Sequence, residues 1–251
     1  MKNFIKNLVC FFLNMFSFLA PKDKVVILMY HSIGRNNVFS TVSPENFERQ
    51  MNFLKKGNYN VMGFSKLAAL LEQKKEIPNK TVVLTFDDGY SDNFIFAWPV
   101  LKRCNFPATI FLTTGLMGGV KIKKTGEQMR MLDWLQIDKM FKSGLIDFQP
   151  HTISHPRLTE ITPEEATGEI LNSQKAVDEQ LANQPRFFAY PYGDYNQTII
   201  DILKNSGFRA AVTVKKGIVR NNSPLLELRR KSINQKTNIG QFKAKINFGL
   251  L

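Results

Sequence analysis

Cysteine is nearly absent from this chain. Cys10 and Cys104 are the only two in 251 residues, and so distant a pair suggests neither a disulfide scaffold nor a zinc knuckle. Stability must come from packing. Histidine is almost as scarce, and His31, His151 and His155 all fall where a strand-like run ends. Long apolar runs are missing too: the stretch from Leu8 to Ala20 is shorter than the roughly 20 residues a spanning helix needs. Acidic residues number 21 against 34 lysines and arginines, a formal charge of +13. That charge favours phosphate groups, anionic glycans or anionic lipid through attraction that salt weakens. The basic residues are scattered and no nucleic-acid motif accompanies them, so nucleic acid is not expected as a partner. Apolar residues, at 43%, suffice for one large α/β barrel or two small domains.

Residues 1–22 read as a separate segment. Lys2 and Lys6 precede the apolar run as in a secretory signal, but Pro21 follows Ala20 and the small-x-small cleavage pattern is missing. Asn3, Asn7, Cys10, Asn14 and Ser17 recur every three or four residues, giving a helix one narrow polar stripe and a broad apolar face. The favoured reading is a helix lying in a membrane interface, ahead of an uncleaved signal-anchor and a helix packed on its own domain. Lysines flank both ends, and the extracytoplasmic side is slightly favoured.

Beyond it, β-rich runs alternate with helical patterns, which predicts parallel strands with crossover helices in one domain from residue 24 to 251. VVILMYH, TVVLTF, ATIFLTT, IDFQPH, RFFAYP and FRAAVTV read as strands, with a further one over Tyr59–Phe64. Ser43-Pro44-Glu45 and Thr162-Pro163-Glu164-Glu165 open helices, the latter to about Leu181. Further helices are expected over 66–75, 133–142 and 196–205. The glycine- and lysine-rich stretch 115–128 reads as a long loop and a candidate lid. The strand count approaches seven or eight. In such folds chemistry gathers at the carboxyl ends of strands, where His31, Asp87, Asp88, His151 and Tyr190-Pro191-Tyr192 all lie.

Two histidines four apart and one carboxylate supply three protein ligands and leave a position open for water, the pattern of a catalytic metal site. HExxH metalloproteases keep their base between the histidines, but here Thr152 stands next to His151. If Asp88 binds the ion, Asp87 is free to take a proton from water whose pKa the ion lowers. The same ligand set describes non-haem iron oxygenases, which would leave Asp87 without a role.

TFDDG, HTISHP and RFFAYPYG, in that order, resemble the three main motifs of the polysaccharide deacetylase family, carbohydrate esterase family 4 or NodB homology domain. The resemblance spans about Val25 to Val214. It implies a distorted (β/α) barrel of about seven parallel strands and metal-dependent removal of acetyl groups from sugars. It makes Asp87 the base and Asp88, His151 and His155 the ligands of one divalent ion, zinc first, with cobalt, nickel or manganese also suited. Arg186 would hold Asp87, and the Tyr192 backbone N–H would stabilise the oxyanion. MLDWLQI resembles a degraded tryptophan motif, which puts Trp134 beside the acetyl group, with Tyr190 and Pro191 also among the substrate contacts. The usual Leu-x-His acid is absent: LRRKSIN stands near the end. LMYHSIG instead resembles the N-terminal motif of a subgroup that deacetylates poly-N-acetylglucosamine, making His31 the candidate acid. An N-acetylated glycan is the expected substrate; the competing reading is a glycan-binding protein that keeps the barrel without turnover.

Overall fold

The computed structural model describes residues 10, 24–123, 125–181 and 186–249. The expected N-terminal helix over residues 1–22 lies outside the described residues, Cys10 excepted. Among the described residues no helix is long and apolar enough to cross a membrane.

The chain opens with β1 (Val25–Tyr30), followed by the two-residue strands β2 (Ser32–Ile33) and β3 (Thr41–Val42), which pair with each other. The helix Pro44–Lys56 follows, capped as expected: the Ser43 side chain accepts the Asn46 N–H, and Pro44 sits in the first turn where its missing donor is not needed. β4 (Asn60–Val61), the helix Phe64–Glu72, β5 (Thr81–Phe86), the helix Trp98–Cys104 and β6 (Ala108–Leu112) come next. The stretch expected to be a loop contains an antiparallel hairpin, β7 (Val120–Ile122) and β8 (Gln128–Arg130). The helix Trp134–Phe141, β9 (Ile146–Pro150), the helix Pro163–Leu181 and β10 (Phe187–Ala189) continue the alternation. It ends with the helix Gln197–Asn205, β11 (Ala210–Lys216), β12 (Leu228–Ser232) and the helix Ile239–Phe248.

Seven parallel strands in the order β10-β11-β12-β1-β5-β6-β9 form a nearly closed barrel, with β4 paired to the start of β5. Side chains sort by the two-residue period of a strand. Val25, Ile27, Val83, Phe111, Phe187 and Val212 pack together inside, joined by Phe64 and Leu67 of the helix after β4. Their neighbours Val26, Leu28, Val82, Leu84, Ile110 and Phe148 pack outward against the surrounding helices. The inward set then turns polar towards the carboxyl ends, because the same parity that points Val83 inward carries Thr85 and Asp87, and that of Leu228 carries Arg230.

Between β9 and β10 the sheet path stops. Side chains close the seam instead. The Phe187 N–H donates to Gln149 Oε1 at 2.8 Å, and His151 Nδ1 lies 2.6 Å from the Ala189 carbonyl. Gln149 and His151 are two apart on one face of β9, so barrel closure and the orientation of a candidate metal ligand share one strand end.

Candidate active site

Asp87 continues β5: its N–H donates to the Tyr30 carbonyl at 3.0 Å, keeping the residue on the β1 ladder. The chain then reverses through two left-handed residues, Asp88 (φ 73°) and Gly89 (φ 84°). A Cβ on Gly89 would lie 2.8 Å from the Leu112 side chain, so the turn needs glycine both for its φ and for space. The reversal separates the two carboxylates. Asp87 faces Arg230, whose guanidinium grips it with two bonds of 2.7 Å, Nη1 to Oδ1 and Nη2 to Oδ2. Arg230 is itself fixed by Nε to the Thr213 carbonyl at 2.9 Å and Nη1 to Thr85 Oγ1 at 3.1 Å. Burial works to raise the Asp87 pKa, but the charge and hydrogen bonds of Arg230 outweigh it and hold the carboxyl below its ordinary value.

The histidines come from the end of β9. His151 extends that strand, its N–H donating to the Leu112 carbonyl at 2.8 Å. A carbonyl can only accept, so the contact to Ala189 puts the proton on His151 Nδ1 and leaves Nε2 with a lone pair. The chain then coils through Thr152 (φ 66°) and His155 (φ 65°). Thr152 Oγ1 donates to the His151 carbonyl at 2.6 Å and accepts the His155 N–H at 3.0 Å. Glu169, on the helix Pro163–Leu181, pins the coil by accepting from the Ile153 and Ser154 N–H groups at 2.8 and 2.9 Å and from Ser154 Oγ at 2.7 Å.

The result brings His155 Nε2 to 3.3 Å and His151 Nε2 to 3.9 Å from Asp88 Oδ1. One donor atom from each of Asp88, His151 and His155 lies within 4.8 Å of the other two. Burial lowers the pKa of both histidines, that of His155 to about 3, so both are neutral near pH 7 and carry the lone pairs a metal needs. The donor set therefore fits one divalent cation with room for a further ligand. Asp88 also receives the Tyr90 hydroxyl at 2.5 Å and the ammonium groups of Lys121 at 3.0 Å and Lys123 at 3.6 Å. Burial acts to raise the Asp88 pKa, but Lys121 and the three histidines drive it well below the ordinary value.

His31 directly follows β1 beside Asp87, close enough for Asp87 and Asp88 to oppose the lowering of its pKa by burial. Its buried Nδ1 has no hydrogen-bond partner among the described residues. Tyr192, left-handed at φ 58° and 52% exposed, lays its ring 4.6 Å from that of His155 and takes the Arg157 guanidinium over its face at 4.5 Å. The structure thus gathers His31, Asp87, Asp88, His151, His155 and Tyr192.

Two sequence-based assignments, Arg186 and Tyr190, need correction. Arg186 does not reach Asp87: it is exposed, donates to the Ser206 carbonyl at 2.8 Å and approaches Asp178 at 3.8 Å. It precedes β10 at the opposite end of that strand from Tyr190, so Arg230 takes the place expected for it. Tyr190 is no substrate contact, being fully buried with its hydroxyl on the Leu226 carbonyl at 2.8 Å and its ring stacked on Tyr195. Its strand parity is the outward one, opposite to Ala189. Trp134, the first residue of its helix, packs half-buried against the main core. Pro191 is buried and opens the short turn that positions Tyr192. Sequence reading also missed Arg230, Glu169, Lys121 and Lys123. For Arg230 the available signal was its inward parity with Leu228.

Parallel-strand ends that present two histidines and a carboxylate beside a second, guanidinium-clamped carboxylate define a hydrolase of the (β/α)-barrel kind. Residues 74–211, more than half the chain, match the polysaccharide deacetylase family. YxkH of Bacillus subtilis (strain 168) is 33% identical over 223 residues, 89% of this chain and 76% of that protein. The poly-β-1,6-N-acetyl-D-glucosamine N-deacetylase of Staphylococcus aureus (strain MRSA252) is 26% identical over 225 residues, covering 80% of this chain and 76% of that one. The Streptococcus pyogenes deacetylase PplD, solved in complex with acetate, matches with a TM-score of 0.76 at 30% identity, over 89% of this chain and 99% of its own. The chain belongs to the polysaccharide deacetylase family.

Proposed function

We propose that the protein hydrolyses the N-acetyl groups of an N-acetylglucosamine-containing glycan, with one divalent ion held by Asp88, His151 and His155. Zinc is the leading candidate; cobalt, nickel and manganese suit the same donors. The observation that carries the reading is the Arg230-clamped Asp87 adjoining that donor cluster. When bound, the ion supplies Lewis acidity and brings the ionisation of water towards neutral pH.

The chain's own groups do the rest. Asp87, kept ionised by Arg230, takes the proton of the water that adds to the acetamide carbon. The Tyr192 N–H donates to the carbonyl oxygen as it gains charge. His31, in its protonated form, delivers a proton to nitrogen as the C–N bond breaks and becomes neutral imidazole, leaving acetate and a free amine. Support for the sugar comes from similarity to the staphylococcal poly-β-1,6-N-acetyl-D-glucosamine enzyme.

Acetate release from an N-acetylglucosamine oligomer tests this. Wild-type protein loaded with zinc should release acetate, chelator should stop it, and Asp87→Asn should bind the ion without turnover. No release from the loaded wild type, or full release by Asp87→Asn, would contradict the proposal. Residence at a membrane surface is proposed from residues 1–22 alone; deletion of Met1 to Lys22 should move the protein out of the membrane fraction.

A further inference from the structure

The hairpin β7–β8 aims two cations at a carboxylate that a divalent ion is proposed to use. Lys121 Nζ lies 3.0 Å from Asp88 Oδ1, the oxygen nearest His155 Nε2, and Lys123 Nζ lies 3.6 Å from Asp88 Oδ2. A divalent ion on Oδ1 would repel the Lys121 ammonium beside it, so metal loading moves that group outward. It cannot go far. The hairpin is fastened to the very turn that carries Asp88: Leu132 N–H donates to the Gly89 carbonyl at 2.9 Å, Ser91 N–H to the Arg130 carbonyl at 2.9 Å, and Tyr90 bridges Met131. Gly118 N–H to Leu132 and Met131 N–H to Gly119 close its base at 2.7 and 3.0 Å. Rotation about the side chains therefore leaves both ammonium groups at the mouth of the site.

There they face excess positive charge. Two carboxylates, Asp87 and Asp88, stand against a divalent ion, the Arg230 guanidinium and the two lysines, while Arg157 lies over Tyr192 beside His155. The hairpin's own Glu127 accepts the Asn37 N–H at 3.1 Å. A wholly neutral glycan would leave this charge unanswered. We infer that Lys121 and Lys123 bind an anionic group of the substrate, so that the N-acetyl sugar is presented within an acidic glycan, its charge a uronic-acid carboxylate or a phosphate on or next to the reacting residue. This rests on the deacetylase reading and narrows its substrate class.

The test compares a neutral N-acetylglucosamine tetramer, a tetramer alternating N-acetylglucosamine with glucuronic acid, and an N-acetylglucosamine tetramer bearing a 6-phosphate. Zinc-loaded wild-type protein should favour an acidic oligomer in kcat/KM by about ten- to a hundredfold, the range of charge-assisted hydrogen bonds, and salt should shrink that ratio. Which acidic oligomer wins separates carboxylate from phosphate. The ratio should collapse in Lys121→Gln/Lys123→Gln and persist in Lys121→Arg/Lys123→Arg. Calorimetric zinc titration should show the Gln pair binding zinc more tightly than wild type, since a competitor for Asp88 is gone, which also verifies its fold. Calorimetric binding of the same oligomers to zinc-loaded Asp87→Asn reads the preference without turnover, so a failure of acetate release sinks only the deacetylase reading. Equal treatment of neutral and acidic oligomers in both assays, or a ratio that survives in the Gln pair, overturns the inference.

Discussion

Arg230 and Asp87 form a two-pronged, fully buried ion pair, 2.7 Å at each prong, between strands whose residues are 143 apart in sequence. Removing the guanidinium strands a buried carboxylate, at a cost of about 3–5 kcal/mol. Without Arg230, burial is opposed only by His151 and His31, and the Asp87 pKa rises. A base works ionised, so activity lost on acidification is lost at higher pH. Arg230→Met should lower the melting temperature, reduce kcat/KM near pH 7 by about a hundredfold or more, and move the acid limb of the pH profile upward. Arg230→Lys keeps charge but loses the paired grip, and should fall between. An unmoved acid limb in Arg230→Met would refute the clamp.

Arg186→Ala provides the contrast. The side chain is 44% exposed and its nearest acid, Asp178, is 3.8 Å away, so the substitution should change stability by no more than about 0.5 kcal/mol. Acetate release should stay near wild type. A large loss of activity would restore the sequence-based assignment of this residue.

Glu169 touches neither histidine ring, yet it holds the coil between them through three hydrogen bonds. Glu169→Ala should weaken zinc binding by about ten- to a hundredfold, the usual effect of losing an outer support of a metal ligand. Competition against a chromogenic chelator measures it. Unchanged affinity would mean the left-handed turns at Thr152 and His155 hold the coil unaided.

Asp147 gives a pH prediction of opposite sign to the site carboxylates. Burial pushes its pKa up to about 6, against weak donation from Gln149 Nε2 at 3.2 and 3.3 Å. A carboxyl whose folded pKa exceeds its unfolded value near 4 favours folding when protonated, and that advantage is lost as pH rises through about 6. Asp147→Asn should therefore raise the melting temperature at pH 8 and have little effect at pH 4. A uniform shift at both pH values would show packing rather than charge at work.

The barrel was legible because its strands carry strong apolar runs and its helices carry capping signals such as Ser43-Pro44 and Thr162-Pro163. The metal donors were legible because they sit in short motifs at strand ends. What escaped was what parity and pairing decide. β12 reads Leu-Arg-Arg-Lys-Ser, too charged to look like a barrel strand, and becomes one because Asp87 neutralises Arg230 inside. Tyr190 and Pro191 stand next to Tyr192 in sequence, but alternation sends the Tyr190 ring into a core between β10 and Tyr195. The hairpin over 120–130 was hidden by its glycines and lysines, although alternating Val120, Lys121 and Ile122 already had a strand's period.

Stepwise addition of zinc to chelator-treated protein, with acetate release from an N-acetylglucosamine oligomer followed at each step, tests the central claim most directly. The account predicts no release before zinc and a rate that rises linearly to a plateau at one ion per chain. Full release by the metal-free protein, or a plateau that needs two ions per chain, would contradict it.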